Sequence, residues 1–552
     1  MGKNRFQLRP LLPQASDYKE LPKSWSRDVV AGITVGIVAL PLALAFAISS
    51  GASPEAGLVT AVVAGFVAAV FGGSHVQVSG PTGAMVVVLA PIAALYGPEA
   101  LPLVAILAGV LVVLAGVFRL GRAVSFIPWP VIEGFTLGIA VIIFLQQVPT
   151  ALGTVPGPSN NTLFAAIQSF TTVSWPAVGW ALASALVVVV IMIGGRALNP
   201  MIPGSIVGII IVTLIAEWLD LPLTRIGQLP ATLPAPSLPP IDLGLVLNLG
   251  PSIVAVALLA GIESLLSARV ASGMSSAGRY DGDRELVGQG LASVASGFFG
   301  GMPATGAIAR TAVNVRSGAR TRAAAAIHAV FLAVIVMFAA SVVALIPMVA
   351  LAGVLIATAI NMVDFKTAGN ILRMSRSDAG IFTLTATVTV LFDLIAAVAI
   401  GIAATAFFAL RALSRMSRVR RHELPGEPQP HDDRIALIRL DGAFFFGAGD
   451  RVLNELEDIR HVSVVILQLS QIKMLDSSGA HVLSELATIL ERRHITVLVK
   501  GLQDQHRRLM DRGGVTSSMS PEHIFNSLPD AIEHAREHVL IDLAEKEERD
   551  RR

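Results

Sequence analysis

The sequence contains no cysteine, which excludes disulfides, thiol catalysis and cysteine-ligated metals and leaves the cellular compartment open. It is also poor in charge. Only 14% of its 552 residues are Asp, Glu, Lys or Arg, whereas soluble proteins carry about 25%. The shortage is local: long uncharged runs fill residues 30–410, and the remainder has ordinary soluble composition. No Gly-rich loop ending in GK[ST] is present, so ATP has no recognisable site. No nucleophile–base–oxyanion constellation points to an enzyme, and a net charge of +2 argues against nucleic-acid binding. What is there is 53% hydrophobic. Those proportions describe an α-helical polytopic membrane protein with a soluble tail.

Residues 1–28 hold Lys3, Arg5, Arg9, Lys19, Lys23 and Arg27 with prolines and no apolar core, a cytoplasmic lead-in rather than a cleavable signal. Residues 29–413 form the membrane domain. Apolar spans are predicted at about 30–50, 55–72, 80–96, 99–118, 127–147, 176–194 and 201–218. A second set follows at about 250–273, 285–300, 304–316, 322–346, 349–363, 378–392 and 394–412. Several are too short or too Gly-rich to cross alone. Loop charges give an independent check. With the N-terminus inside, inner loops carry Arg119 and Arg122, then Arg196, then Arg279 and Arg284. Further inner loops carry Arg316, Arg320 and Arg322, then Lys366, Arg373 and Arg376, then Arg411 to Arg421. Outer loops are almost bare, and only Arg225 breaks the pattern. Both ends therefore lie inside.

The proline-rich stretch 219–250 separates halves at about 29–219 and 249–413. Seven spans per half invert the second half, so related segments enter the membrane from opposite sides. One pair of segments is related. Pro81-Thr82-Gly83-Ala84 in the first half parallels Ala304-Thr305-Gly306-Ala307 in the second. The second lies within Gly300–Thr321, a largely apolar stretch with Pro303 near its start and Arg310 inside it. Proline and small residues at these starts predict helix N-termini open to a cavity, which favours anions. The alternative is that Pro81 and Pro303 merely kink ordinary helices.

Arg310 is the first candidate for substrate attraction, since a guanidinium stays charged and fits carboxylate or oxyanion geometry. The competing reading is a structural ion pair with Glu263. Glu263 is the second intramembrane charge. Ser267 sits one turn further on the same face. Burial favours the protonated carboxyl and a nearby arginine the charged one, so protonation near physiological pH becomes possible where the two cancel or burial wins. With Ser267 and backbone carbonyls Glu263 could ligate sodium instead. Asn314, one turn after Arg310, orients it or packs the helix. Glu133 reads as a boundary charge, Asp393 as a loop or cap residue, and His75 and His328 lack metal-ligand spacing.

After Arg415–Arg421 and a linker at 414–431, strands are predicted at 435–440, 464–469 and 495–499, with helices at about 449–460 and 478–492. Residues 432–552 thus form a small α/β domain, ending in a charged helix near 529–549.

Several of these stretches resemble the SulP family of anion transporters (solute carrier family 26). Pro41-Leu-Ala-Leu-Ala-Phe46 through Leu58 looks like its first-span signature. Gly72-Gly73 with Val78-Ser-Gly-Pro-Thr82 resembles its third span. Arg284-Glu-Leu-Val-Gly-Gln-Gly290 and Arg310–Thr321 resemble its ninth and tenth. The C-terminal domain resembles a STAS domain, with Leu475-Asp476-Ser477-Ser478-Gly479 at a strand-to-helix turn. The resemblance implies fourteen spans in two inverted seven-span repeats, arranged as core and gate domains that alternate access. It implies an anion held between the starts of the third and tenth spans, beside Phe46, Thr82 and Arg310, with Gly83, Thr305, Gly306 and Ala309 lining the site. It further implies a homodimer in the bacterial inner membrane, with the STAS domain cytoplasmic. Asp476, Ser477 and Ser478 stand where related anti-sigma antagonists are phosphorylated, although a helix N-cap explains them equally.

The expected function is secondary active anion transport, with Glu263 taking a proton and no cofactor or metal. Many members have Pro-Gln where this chain has Pro41-Leu42. That lost amide and the proton at Glu263 tilt the expected substrate toward a dicarboxylate such as fumarate or succinate. The alternatives are proton- or sodium-coupled sulfate or bicarbonate transport, a passive anion channel, and an anion-sensing STAS receptor.

Overall fold

A computed structural model describes residues 11–122, 128–155, 157, 159, 162–198, 203–230, 232–240, 242–391, 394–416, 418–444, 461–475, 477–503, 506–507, 509 and 521–551. The chain divides into two compact units, Met1–Ala403 and Ala404–Arg552.

The first unit is built of helices because its sequence is long apolar runs with small residues, and lipid demands that backbone groups bond internally. In the first half the helices that follow predicted spans are α1 (Leu21–Ser49), α2 (Pro54–Phe71), α3 (Gly83–Tyr96), α4 (Ala100–Val117), α5 (Trp129–Ala151), α6 (Ala177–Leu198) and α7 (Gly204–Trp218), with a short helix Thr162–Gln168 between α5 and α6. The second half repeats the count with α8 (Leu243–Met274), α9 (Gly282–Phe298), α10 (Ile308–Arg316), α11 (Ala323–Ala344), α12 (Met348–Met362), α13 (Arg376–Leu391) and α14 (Leu394–Met416). These fourteen helices among the described residues follow the fourteen predicted spans. Eight membrane-length apolar spans are found among them, the eighth running from α12 through the short helix Phe365–Met374.

α3 and α10 are the instructive exceptions. Fourteen and nine residues make helices of roughly 21 and 14 Å, short of the ~30 Å apolar thickness of a bilayer. Each is completed by an extended segment, β1 (Ser79–Gly80) before α3 and β2 (Thr305–Gly306) before α10. The predicted tenth helix at 304–316 is therefore corrected at its start, where Thr305 and Gly306 are strand. β1 and β2 pair antiparallel, Ser79 opposite Gly306 and Gly80 opposite Thr305. Inverted halves bring like segments together in this antiparallel sense.

Glycine lets helices of the two halves interleave closely. A Cβ on Gly109 of α4 would meet the Gly290 carbonyl of α9 at 2.7 Å, and one on Gly32 of α1 the Ala324 carbonyl of α11 at 2.6 Å. Likewise Gly134 of α5 abuts the Phe382 carbonyl of α13, and Gly353 of α12 the Ala185 carbonyl of α6. Large apolar side chains such as Leu186, Leu214 and Phe338 point outward, as lipid contact requires.

The second unit holds a five-stranded sheet in the order β3 (Arg418–His422), β4 (Ile435–Phe444), β5 (Val464–Leu475), β6 (Thr496–Lys500), β7 (Ile524–Phe525). β3 is antiparallel to β4 and the other pairs are parallel. Alternation along β4 explains the layers. Ala436, Ile438 and Leu440 pack with Leu483, Leu486 and Leu490 of α15 (Ser477–Arg492). Ile435 and Leu437 pack with Ala531, Ile532, Ala535 and Val539 of α16 (Leu528–Arg551). The stretch expected as linker at 414–431 is corrected in part, because residues 418–422 form the edge strand β3. The helix expected at 449–460, Asp393, Asp476 and the side chain of Ser478 lie outside the described residues. Ser477 opens α15.

Candidate functional site

The site begins where β1 and β2 give way to helices. Thr82 and Ala307 are the N-caps of α3 and α10, both extended, and neither caps its own helix with a side-chain bond. The Thr82 hydroxyl is turned elsewhere. It donates to Glu263 Oε2 at 2.9 Å, and the Thr305 hydroxyl donates to the same oxygen at 2.8 Å. The threonines of the two related motifs thus hold one carboxylate of α8 between them. Thr82 and Thr305 are buried, and Glu263 keeps a partly exposed edge.

A polar lattice fixes this arrangement. The Gly306 amide donates to Ser264 Oγ at 3.1 Å, and Gln77 Nε2 donates to the Ser264 carbonyl at 3.3 Å. Thr311 Oγ1 accepts from the Val78 amide at 3.0 Å and lies 3.3 Å from Ser267 Oγ. A Cβ on Gly306 would stand 1.7 Å from Gln77 Nε2 and so displace that amide from the Ser264 carbonyl. Thr60, within a π-turn of α2, accepts from the Met302 amide at 2.8 Å and so supports the run through Pro303 into β2.

Arg310 is 2% exposed and does not form the ion pair with Glu263 weighed from sequence; no N···O contact within 4 Å joins them among the described residues. Its Nη2 donates to the Pro81 carbonyl instead, and its Nη1 has no hydrogen-bond partner among the described residues. Gly80, with φ of 153°, makes room for it: a Cβ there would lie 2.8 Å from Nη1. Asn314 donates to the Val76 carbonyl at 2.8 Å, so it packs α10 against the segment before β1 and does not orient Arg310. Phe46 is buried in α1, its ring edge 3.2 Å from where a Cβ on Gly83 would stand. Ala309 is exposed at the start of α10. Glu133 accepts from Trp129 Nε1 at 3.1 Å.

Sequence reasoning missed the residues that carry the lattice: Gln77, Ser264, Thr311, and a second buried carboxylate, Glu285. Glu285 Oε2 accepts from the Gly73 and Ser74 amides at 2.8 and 3.0 Å. Gln289 donates to Glu285 Oε1 at 3.0 Å and also to Ser79 Oγ. The available signal was polar residues inside otherwise apolar helices, each needing a partner. Nearer the entrance of α1, Asp17 receives Arg284 Nη2 at 2.7 Å, with Arg322 3.9 Å away. Burial pushes the Asp17 carboxyl up, yet the Arg284 hydrogen bond, the Gln14 amide and the charges of Arg322 and Arg284 bring it down to about 2. A cleft of about 590 Å³ between α1, α3, α5 and α12 is lined by Ala45, Ser49, Ala90, Gln147 and Leu351; Glu263 and Arg310 are not among its walls.

Two inverted halves of membrane helices, meeting at a polar site between facing helix starts, define a multi-pass membrane transporter. The chain belongs to the sulfate permease family: that family matches residues 26–385, and the STAS domain family matches residues 429–531. It is 35% identical over 518 residues to "Putative sulfate transporter YvdB" of Bacillus subtilis (strain 168), covering 91% of this chain and 96% of that one. It is 28% identical to "Bicarbonate transporter BicA" of Picosynechococcus sp. (strain ATCC 27264 / PCC 7002 / PR-6), covering 92% and 94%. Among solved structures, the transmembrane domain of a cyanobacterium bicarbonate transporter BicA matches with TM-score 0.61 and 34% identity, covering 68% and 97%. The murine Slc26a9 anion transporter in the inward-facing state shares the fold, with TM-score 0.82, 16% identity and coverage of 97% and 96%. The family is one of anion transporters, not enzymes.

Proposed function

We propose that this protein is a secondary active transporter that takes up a small inorganic oxyanion, sulfate or bicarbonate, together with a proton carried by Glu263. The observation that carries the reading is the convergence of Thr82 and Thr305 on one oxygen of Glu263, between the starts of α3 and α10. Helix N-termini offer unpaired amides and positive dipole ends to an anion. A carboxylate held there opposes anion entry while charged and permits it once protonated, which links the two cargoes. Phe46, Gly83 and Gly306 give the site close walls, Ala309 leaves the start of α10 open, and Arg310 supplies a buried positive charge from behind Pro81. Glu263 and Ser267 are the coupling residues; Pro81, Pro303 and Asn314 shape the segments.

The expected tilt toward fumarate or succinate gives way here. Relatives are named for sulfate and bicarbonate. The inner-loop arginines support placement in a bacterial inner membrane with both termini and the STAS domain in the cytoplasm. Uptake of labelled sulfate, bicarbonate, chloride, fumarate and succinate into proteoliposomes tests the reading. Sulfate or bicarbonate uptake driven by an inward proton gradient supports it, and fumarate or succinate uptake without either oxyanion overturns it.

A further inference from the structure

We propose that the STAS domain carries a divalent transition-metal site formed by His523, His534 and His538. His534 and His538 stand four residues apart on α16, so their rings lie on one face, one turn above the other. His523 ends the 3-10 turn Pro521–His523 and is carried to them by β7, which pairs with β6 through Val499–Ile524 and Lys500–Phe525. One ring nitrogen from each of the three lies within 4.8 Å of the others. The ring centroids are 4.8 to 5.7 Å apart and the rings meet at steep angles rather than stacking, which leaves their nitrogens free to converge.

Two further observations point to a ligand. His534 Nε2 is buried without a hydrogen-bond partner among the described residues, although a buried imidazole nitrogen ordinarily finds one. His534 Nδ1 lies 3.6 Å from Glu537 Oε2, within a small rotation of the carboxylate contact that orients metal-binding imidazoles.

An all-imidazole set selects zinc, copper or nickel over magnesium or calcium, whose preferred ligands are oxygens. Metal–nitrogen bonds of roughly 2.0–2.1 Å draw the ligand atoms to about 3.3 Å from one another, a movement small enough for side-chain rotation. Three protein ligands leave the fourth tetrahedral position to water or a partner's side chain. The bound ion would fasten α16 to the β7 end of the sheet, and so make the C-terminal helix sensitive to metal.

The test uses the full-length protein in detergent, purified with a tag that contains no histidine and treated with chelator. Equilibrium dialysis against Zn²⁺, with excess Mg²⁺ present, should give one zinc per chain, with affinity falling at least tenfold in His534→Gln and His538→Gln. Absence of zinc binding, or binding unchanged in the double variant, overturns the proposal. A second measurement needs no variant. Diethylpyrocarbonate labelling mapped by mass spectrometry should fall at His523, His534 and His538 when zinc is added, and stay constant at the exposed His422 and His431. Equal labelling of the three with and without zinc is the contradicting result.

Discussion

Thr82 and Thr305, from related motifs in opposite halves of the chain, donate to the same oxygen of Glu263 at 2.9 and 2.8 Å. The starts of two helices from opposite halves are thereby referred to one carboxylate. Any motion that separates α3 from α10 must break one of these bonds or rotate Glu263.

That geometry predicts matched effects from matched substitutions. Thr82→Val and Thr305→Val keep shape and remove one hydroxyl each. A hydrogen bond to a charged group contributes roughly 1.5–3 kcal/mol, so each should lower initial uptake by roughly tenfold or more. The double variant should lose less than the two losses combined, because both act on one acceptor. Initial rates in proteoliposomes measure this, and strictly additive losses would mean that the hydroxyls act separately.

Gly80→Ala should impair transport without touching substrate. The new Cβ would stand 2.8 Å from Arg310 Nη1, at a φ that side chains rarely adopt. Moving Arg310 releases the Pro81 carbonyl just before α3. Uptake should fall severalfold and the thermal midpoint in detergent by several degrees, the size of a strained backbone position costing about 1–3 kcal/mol.

Arg310→Lys should be a poor replacement. Lysine keeps the charge but loses the planar fork that reaches Pro81 while presenting a second nitrogen. Uptake should fall in Arg310→Lys and fall further in Arg310→Gln, which separates the contribution of shape from that of charge.

Asp17 gives a pH-dependent stability prediction remote from the site. Its folded-state value of about 2 lies below the ordinary 3.8, so its stabilising contribution is fully present above about 4 and is lost as pH falls toward 2. Asp17→Asn should unfold at a lower temperature than the unsubstituted chain at pH 7, and the difference should narrow as pH falls through that window. Thermal unfolding followed by tryptophan fluorescence reads it.

Much of this was legible in the sequence because the membrane imposes simple rules. Apolar runs and loop arginines gave the spans and inverted halves, and Thr-Gly-Ala at 82 and 305 marked the facing helix starts. The pairing of Ser79–Gly80 with Thr305–Gly306 was not legible, since a two-residue strand has no periodicity. Nor was the partner of Arg310: opposite charges suggest an ion pair, yet its Nη2 donates to the Pro81 carbonyl just before α3. Glu285 escaped notice because two of its three partners, the amides of Gly73 and Ser74, are backbone groups that every sequence has.

The most direct test of the account is oxyanion uptake by Glu263→Gln compared with the unsubstituted protein, in proteoliposomes under an imposed inward proton gradient. The account predicts that the gradient accelerates uptake by the unsubstituted protein and has no effect on the variant, whose amide stays neutral between Thr82 and Thr305. Equal acceleration of both would contradict it.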